Sequence, residues 1–137
     1  MKTYPLLLAG VLGLMLSGCQ VKSTVSSGVR LSGPEVRQLF VGHTVESYNL
    51  SSGVTSLSYY YSDGRVEQMR HGAKRKGHWK VEPGGNICLS MDNKPFSCRL
   101  IYRDGDRYYK YRTTKQGKHK KIIRYQWFKP GRAFIAE

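Results

Sequence analysis

Acidic side chains are scarce: nine Asp and Glu stand against 23 Lys and Arg in 137 residues, a formal net charge of +14. Such an imbalance says little about fold, but it repels basic partners and attracts phosphates and carboxylates. It also leaves general acid–base chemistry short of players, because most of the acids fall near turns. The four histidines, His43, His71, His78 and His119, lack the spacing of a zinc site. There is no Gly-x-Ser-x-Gly elbow, no paired-carboxylate motif and no phosphate-cradling glycine loop. Catalysis is therefore not expected, and neither a cofactor nor a metal is implied. Long apolar runs are missing as well. The run from Pro5 to Leu16 is about a dozen residues, too short to cross roughly 30 Å of hydrocarbon as a helix.

What that short run does suit is the apolar part of a secretory signal, with Lys2 before it and the small residues Ser17 and Gly18 after it. Cys19 follows at once. The order Leu16-Ser17-Gly18-Cys19 resembles a bacterial lipoprotein lipobox, a likeness that covers the first 20 residues. The resemblance implies cleavage before Cys19, a diacylglycerol on its sulfur and an acylated new amine. A thiol is the nucleophile that can take a thioether-linked lipid, and small residues before it let a peptidase reach the backbone. One acyl chain anchors only marginally at about 0.8 kcal/mol per buried CH₂, whereas two or three hold stably. In Gram-negative lipoproteins an aspartate after the cysteine commonly retains the protein in the inner membrane. Gln20 stands here instead, so the resemblance implies the outer membrane, with the domain facing the periplasm.

Residues 1–18 are thus expected as a signal peptide, 19–31 as a flexible tether and 32–137 as a single β domain. The tether is serine-rich and without period, with a reach of about 20 Å. Because the leader holds one base, Lys2, and no acid, 22 Lys and Arg against nine acids remain after it. Cys88 and Cys98 are left once Cys19 is assigned to lipid. Export implies an oxidising compartment, where such a pair is normally a disulfide. The short loop it closes gives roughly 2–3 kcal/mol in the chain-entropy account.

Ser32-Gly33-Pro34-Glu35 reads as a helix start, with Ser32 and Glu35 forming a capping box and Pro34 tolerated in the first turn. Val36, Leu39 and Phe40 make one apolar face, and Gly42 ends the helix early. Such a face is expected to be core. The remainder reads as strands cut by turns: 44–49, 55–62, 65–70, 78–82, 87–91, 97–103, 107–113 and 121–128. Asp63-Gly64 and Asp104-Gly105 are hairpin signals. His71 to Gly77 reads as a basic loop, and Asp92-Asn93-Lys94 places Cys88 opposite Cys98. Trp79 and Val81 share one face, as do Ile123, Tyr125 and Trp127. The expected fold is mainly β: a short amino-terminal helix, then an antiparallel meander of about eight strands. The meander forms a lipocalin-like barrel or a strongly curved sheet, with the helix covering one end.

A second resemblance rests on Leu31-Ser32-Gly33-x-Glu35-x-x-x-Leu39-Phe40-x-Gly42-x-Thr44, Tyr61-x-Asp63-Gly64, Gly77-x-Trp79-x-Val81, Cys88-Leu89, Cys98 and Arg103-Asp104-Gly105. Over roughly residues 31–112 the chain resembles an uncharacterised proteobacterial envelope domain. The likeness implies a fold and no activity.

In a meander, alternate turns emerge at one end of the sheet. Turns 50–53, 71–77, 92–94 and 115–118 then gather bases, with Asp92 the one acid, while Asp63, Glu82, Asp104 and Asp106 fall at the other end. A cationic rim and an acidic rim are expected. Lys74, Arg75, Lys76, Lys118, Lys120 and Lys121 are the candidate anion-binding residues; the plainer alternative is solvated loop tips. Tyrosines interleave with bases in Arg107-Tyr108-Tyr109-Lys110-Tyr111-Arg112, a pattern that can stack sugars or bases but also suits any strand. The expectation is a non-catalytic, lipid-anchored protein that binds an anionic envelope polymer, lipid or acidic protein, with nucleic acid not expected. The alternative is a lipocalin-like carrier of a small apolar ligand, since eight strands leave an interior just wide enough for one.

Overall fold

Short strands with tight turns leave each strand no partner nearer than the next, and the chain adopts that arrangement throughout. The computed structural model describes residues 28–134. The expected signal peptide, Cys19 and the tether up to residue 27 lie outside the described residues. In chain order the elements are β1 (Val29–Arg30), α1 (Gly33–Phe40), β2 (His43–Asn49), β3 (Thr55–Tyr60), β4 (Arg65–Arg70) and β5 (Ala73–Val81). They continue with β6 (Ile87–Met91), β7 (Ser97–Asp104), β8 (Arg107–Thr113) and β9 (His119–Pro130). Strands β2 to β9 pair antiparallel, each with its chain neighbour, and β9 returns to pair with β2. The result is a closed eight-stranded barrel with one extra strand and a single short helix, the lipocalin-like architecture the turn spacing predicts. Among the described residues no helix is long and apolar enough to cross a membrane.

The extra strand corrects the boundary of the tether. β1 pairs with β7 through Val29↔Arg103 and Arg30↔Tyr102, a stretch of β7 that β6 is too short to reach. Leu31 is buried, and its amide donates to the Ile101 carbonyl at 2.9 Å. The domain therefore starts before residue 32, because β7 offers an unpaired edge there.

Helix α1 begins as its sequence demands. The Glu35 amide donates to Ser32 Oγ at 3.4 Å, and the Ser32 amide donates to Glu35 Oε2 at 3.2 Å. Both halves of the capping box are made. The helix plugs one end of the barrel with Val36 and Phe40, both fully buried. The Phe40 ring meets Tyr60, Tyr125 and Phe128 edge-on at 5.0, 5.3 and 5.4 Å between centroids. Trp79 joins through Tyr60, and Val45, Val66, Ile87 and Ile101 complete the layer. This aromatic layer occupies the plugged half.

Two sequence expectations change here. The loop expected over 71–77 is a two-residue turn followed by strand. His71 and Gly72 both have positive φ (52° and 71°), the geometry of the hairpin turn whose twist matches paired strands. β4 and β5 consequently pair right up to it, from Arg70↔Ala73 to Arg65↔His78. The face expected for Ile123, Tyr125 and Trp127 also breaks. The β2–β9 register shifts between Glu46 and Ser47, so Glu46 opposes Trp127 and Ser47 opposes Tyr125, with Gln126 as the extra residue. That bulge turns Phe128 into the core and leaves Trp127 outside, beneath Lys129 Nζ at 4.3 Å from its ring.

The cysteines behave as expected: Cys88 and Cys98 are direct cross-strand partners joined by a disulfide, with Cα atoms 4.0 Å apart.

Candidate functional site: the open half of the barrel

Opposite the plug, the barrel ends in four hairpin turns, 50–54, 71–72, 92–96 and 114–118. Period-two alternation decides what lies inside. On β5, Trp79 points inward, so Gly77 and Arg75 do too, while Lys74, Lys76 and Lys80 point out. On β4, Val66 points inward, followed by Gln68 and Arg70. On β8, Tyr108 points inward, followed by Lys110. Ser47, Ser56 and Ser58 come from β2 and β3, and Leu89, Ile123 and Tyr125 from β6 and β9. These side chains enclose a cavity of about 140 Å³.

A polar chain crosses its wall. Arg75 Nη1 donates to Gln68 Oε1 at 2.9 Å, and Gln68 Nε2 donates to Ser58 Oγ at 3.1 Å. The other side of the Arg75 guanidinium, Nε, pairs with Asp92 Oδ2 at 2.8 Å at the mouth. Arg75 is thereby neutralised and held. Lys110 is not. The barrel surrounds it, yet its side chain still meets the cavity, and its Nζ sits 6.0 Å from the Tyr125 ring centroid. Burial, aided by the like charge of Arg99, lowers its ammonium to about 8. Among the described residues neither Lys110 nor Arg70 has an ion pair or hydrogen-bond partner. The Tyr125 hydroxyl is buried without a partner as well, and burial raises its pKa well above the usual phenol range, so it stays protonated. Lys110 and Arg70 thus line the cavity without an acceptor, and the Tyr125 hydroxyl is buried in its wall without one, where an unmet donor is costly.

No protein-family model matches the chain, and no curated protein matches it. The reading of the site rests on its own chemistry.

The expected anion-binding residues divide by wall and by face. All lie toward the same end, but β5 and β9 are four strands apart in a ring of eight, on opposite walls. Lys74 and Lys76 project outward from β5, and only Arg75 of that triplet enters the barrel. Lys118 stands in the β8–β9 turn, bonded through its amide to Thr114 Oγ1 at 3.2 Å. Lys121 lies on the outer face over Tyr109, 3.9 Å from the ring centroid. Lys120 opposes Arg112, and both line a groove of about 420 Å³ with Lys115, under a hairpin that continues the barrel's inner wall. The Arg107–Arg112 run splits likewise, Tyr109 and Tyr111 outside and Tyr108 and Lys110 inside. It forms no continuous stacking ladder.

Of the acids expected at the plugged end, Asp63 is neutralised by a base. Asp63 pairs with Arg65 at 2.7 Å, and Glu67 pairs with Arg132 at 2.9 Å while accepting the Tyr61 hydroxyl at 3.1 Å. Burial pushes the Glu67 carboxyl up, but Arg132 and Tyr61 outweigh it and hold the carboxyl below its ordinary value. A wider groove of about 330 Å³ beside α1 is open to solvent and lined by charges of both signs, Glu35 and Arg103, so it selects for neither. The group Glu82, Cys88 and Cys98 has metal-like proximity among the described residues. Its sulfurs are spent in the disulfide, which leaves no thiolate to ligate.

Sequence reading took Lys110 only as part of a tyrosine-rich run and Tyr125 only as one residue of a strand face, and it passed over Arg70. The usable signal was phase: each sits an even number of residues from an apolar partner on its own strand, Tyr108, Val66 and Ile123 respectively.

Proposed function

We propose that the chain is a non-catalytic, lipid-anchored envelope protein. Cys19 holds it at the outer membrane facing the periplasm, and the open end of its barrel binds an anionic envelope component. The reading is supported by the balance of charge near the open end, where bases outnumber acids. Among the described residues, the turns there hold Lys94, Lys115 and Lys118 and a single acid, Asp92, which Arg75 already occupies. Arg70, Lys74, Arg112 and Lys120 flank them. A field of one sign focused at a mouth raises the local concentration of anions and speeds their capture. The second reading, a carrier of an apolar ligand, draws on the barrel itself. The cavity speaks against a long apolar chain, since about 140 Å³ lies under the roughly 300 Å³ at which drug-sized pockets begin, and charged groups line it.

The test is retention of the protein on vesicles with and without cardiolipin, and on lipopolysaccharide, across a salt series. Wild type is retained on the anionic surfaces and released as salt rises. Changing Lys74, Lys76, Lys118, Lys120 and Lys121 together to Gln weakens retention at least tenfold. Retention that ignores both salt and these substitutions would overturn the reading. Acyl labelling that persists in Cys19→Ser would remove the anchor.

A further inference from the structure

We propose that the open half of the barrel is a binding site for a single phosphate group, carried by a phosphate monoester or as free phosphate. Lys110 and Arg70 are its counter-charges, and the Tyr125 hydroxyl is a third donor. This goes beyond capture by the outer lysines and does not depend on them.

Charge and acceptor number both select a phosphate. Two cations line the same cavity without an anion: Lys110 and Arg70 have no ionic partner among the described residues, while Arg75 already has Asp92. Arg99, beside Lys110, adds to the positive field and takes up none of it. A carboxylate carries one negative charge and leaves a cation uncompensated. A phosphate monoester carries close to two at neutral pH, with three acceptor oxygens. Those oxygens match the ammonium, the guanidinium and the buried hydroxyl that now lack acceptors. In an enclosed site each such bond is stronger than at a surface, and the Arg70 fork favours phosphate geometry.

The size of the space agrees. A volume of about 140 Å³ holds a headgroup and excludes a long chain, which would leave through the mouth past Arg70. Ser47, Ser56 and Ser58 offer further hydroxyls around it. Leu89, Met91 and Ile123 supply the apolar part of the wall.

Calorimetric titration of the full-length chain with inorganic phosphate, glycerol 3-phosphate, and vesicles with and without phosphatidic acid tests the proposal. At least one probe binds wild type at one per chain. Binding of a soluble probe assigns the phosphate to a free molecule; binding of phosphatidic acid vesicles alone assigns it to a lipid headgroup. Lys110→Gln weakens binding at least tenfold, and Arg70→Gln, at the mouth where folding is least affected, does so several-fold. The variant with the outward-facing Lys74, Lys76 and Lys121 changed to Gln binds the soluble probes as wild type does, which separates this site from the surface reading. Absence of binding by every probe, or undiminished binding in both Lys110→Gln and Arg70→Gln, overturns the proposal.

Discussion

An ammonium group enclosed by a barrel wall is more easily deprotonated than one in water, and at Lys110 this has a measurable consequence. Arg99 on β7, Arg75 on β5 and Arg70 on β4 all share its sign, and Tyr60 and Tyr125 are the titratable groups from β3 and β9. With Lys110 near 8 in the folded state and near 10.5 unfolded, the unfolded chain binds more protons between those values. Stability therefore rises with pH from about 8 upward. Tyr60 and Tyr125 work in the opposite sense. Their phenols are raised by burial, so above about 10 the unfolded chain loses protons that the folded one keeps, and stability falls. Denaturant unfolding across pH 7 to 11 should show a maximum near 9 to 10, and Lys110→Met should remove its rising limb. An unchanged profile in that variant would mean Lys110 stays hydrated. Of the site residues, Arg75 was the most legible in sequence. Its phase with Trp79 follows once β5 is extended back to Ala73. Lys110 was illegible because Tyr108 and Tyr109 supply aromatic residues to both faces of β8, leaving the phase undecided.

At the scale of elements, the capped helix, the hairpins at Asp63-Gly64 and Asp104-Gly105 and the strands 65–70, 87–91 and 107–113 were legible, because each is fixed by local chemistry. β9 was not. A bulge depends on the register of a partner strand far away in sequence, here β2, and no local signal marks Gln126 as the extra residue. The consequence is testable. Phe128→Ala should cost roughly 2–3 kcal/mol in chemical denaturation, less than a fully buried ring, since the half-buried ring packs on the plug layer against Phe40, Tyr108 and Tyr125. Trp127→Ala should cost much less, because that ring lies outside. The reverse order would show that the strand runs without the bulge. β5 was misread at its start for a related reason. The run His71 to Gly77 has the composition of a loop, but His71-Gly72 alone completes the turn, and the bases that follow tolerate a strand whose outer face is wet. Gly77 also reads as a breaker in sequence. In the structure its missing side chain lets β5 approach β6, where a Cβ would run into the Ser90 carbonyl and lie 2.7 Å from Met91 Sδ.

For the molecule as a whole, the meander and the sorting of its turns between two ends were foreseeable, while closure was one of two arrangements open to it, the other being a strongly curved sheet. Which end becomes solid and which hollow was not foreseeable. That depends on where Phe40, Tyr60, Trp79, Tyr125 and Phe128 converge, a three-dimensional fact. The outcome is a barrel with a dry aromatic half beneath the helix and a cationic half beneath the opposite turns, and the account stands on that division. The most direct measurement is a map of backbone amide chemical-shift changes as inorganic phosphate or glycerol 3-phosphate is added to the isotopically labelled protein. The account predicts saturable changes centred on Ser58, Gln68, Lys110 and Tyr125, with the outer positions Lys74, Lys76 and Lys121 shifting little. Saturable changes confined to those outer lysines, with the interior silent, would contradict it.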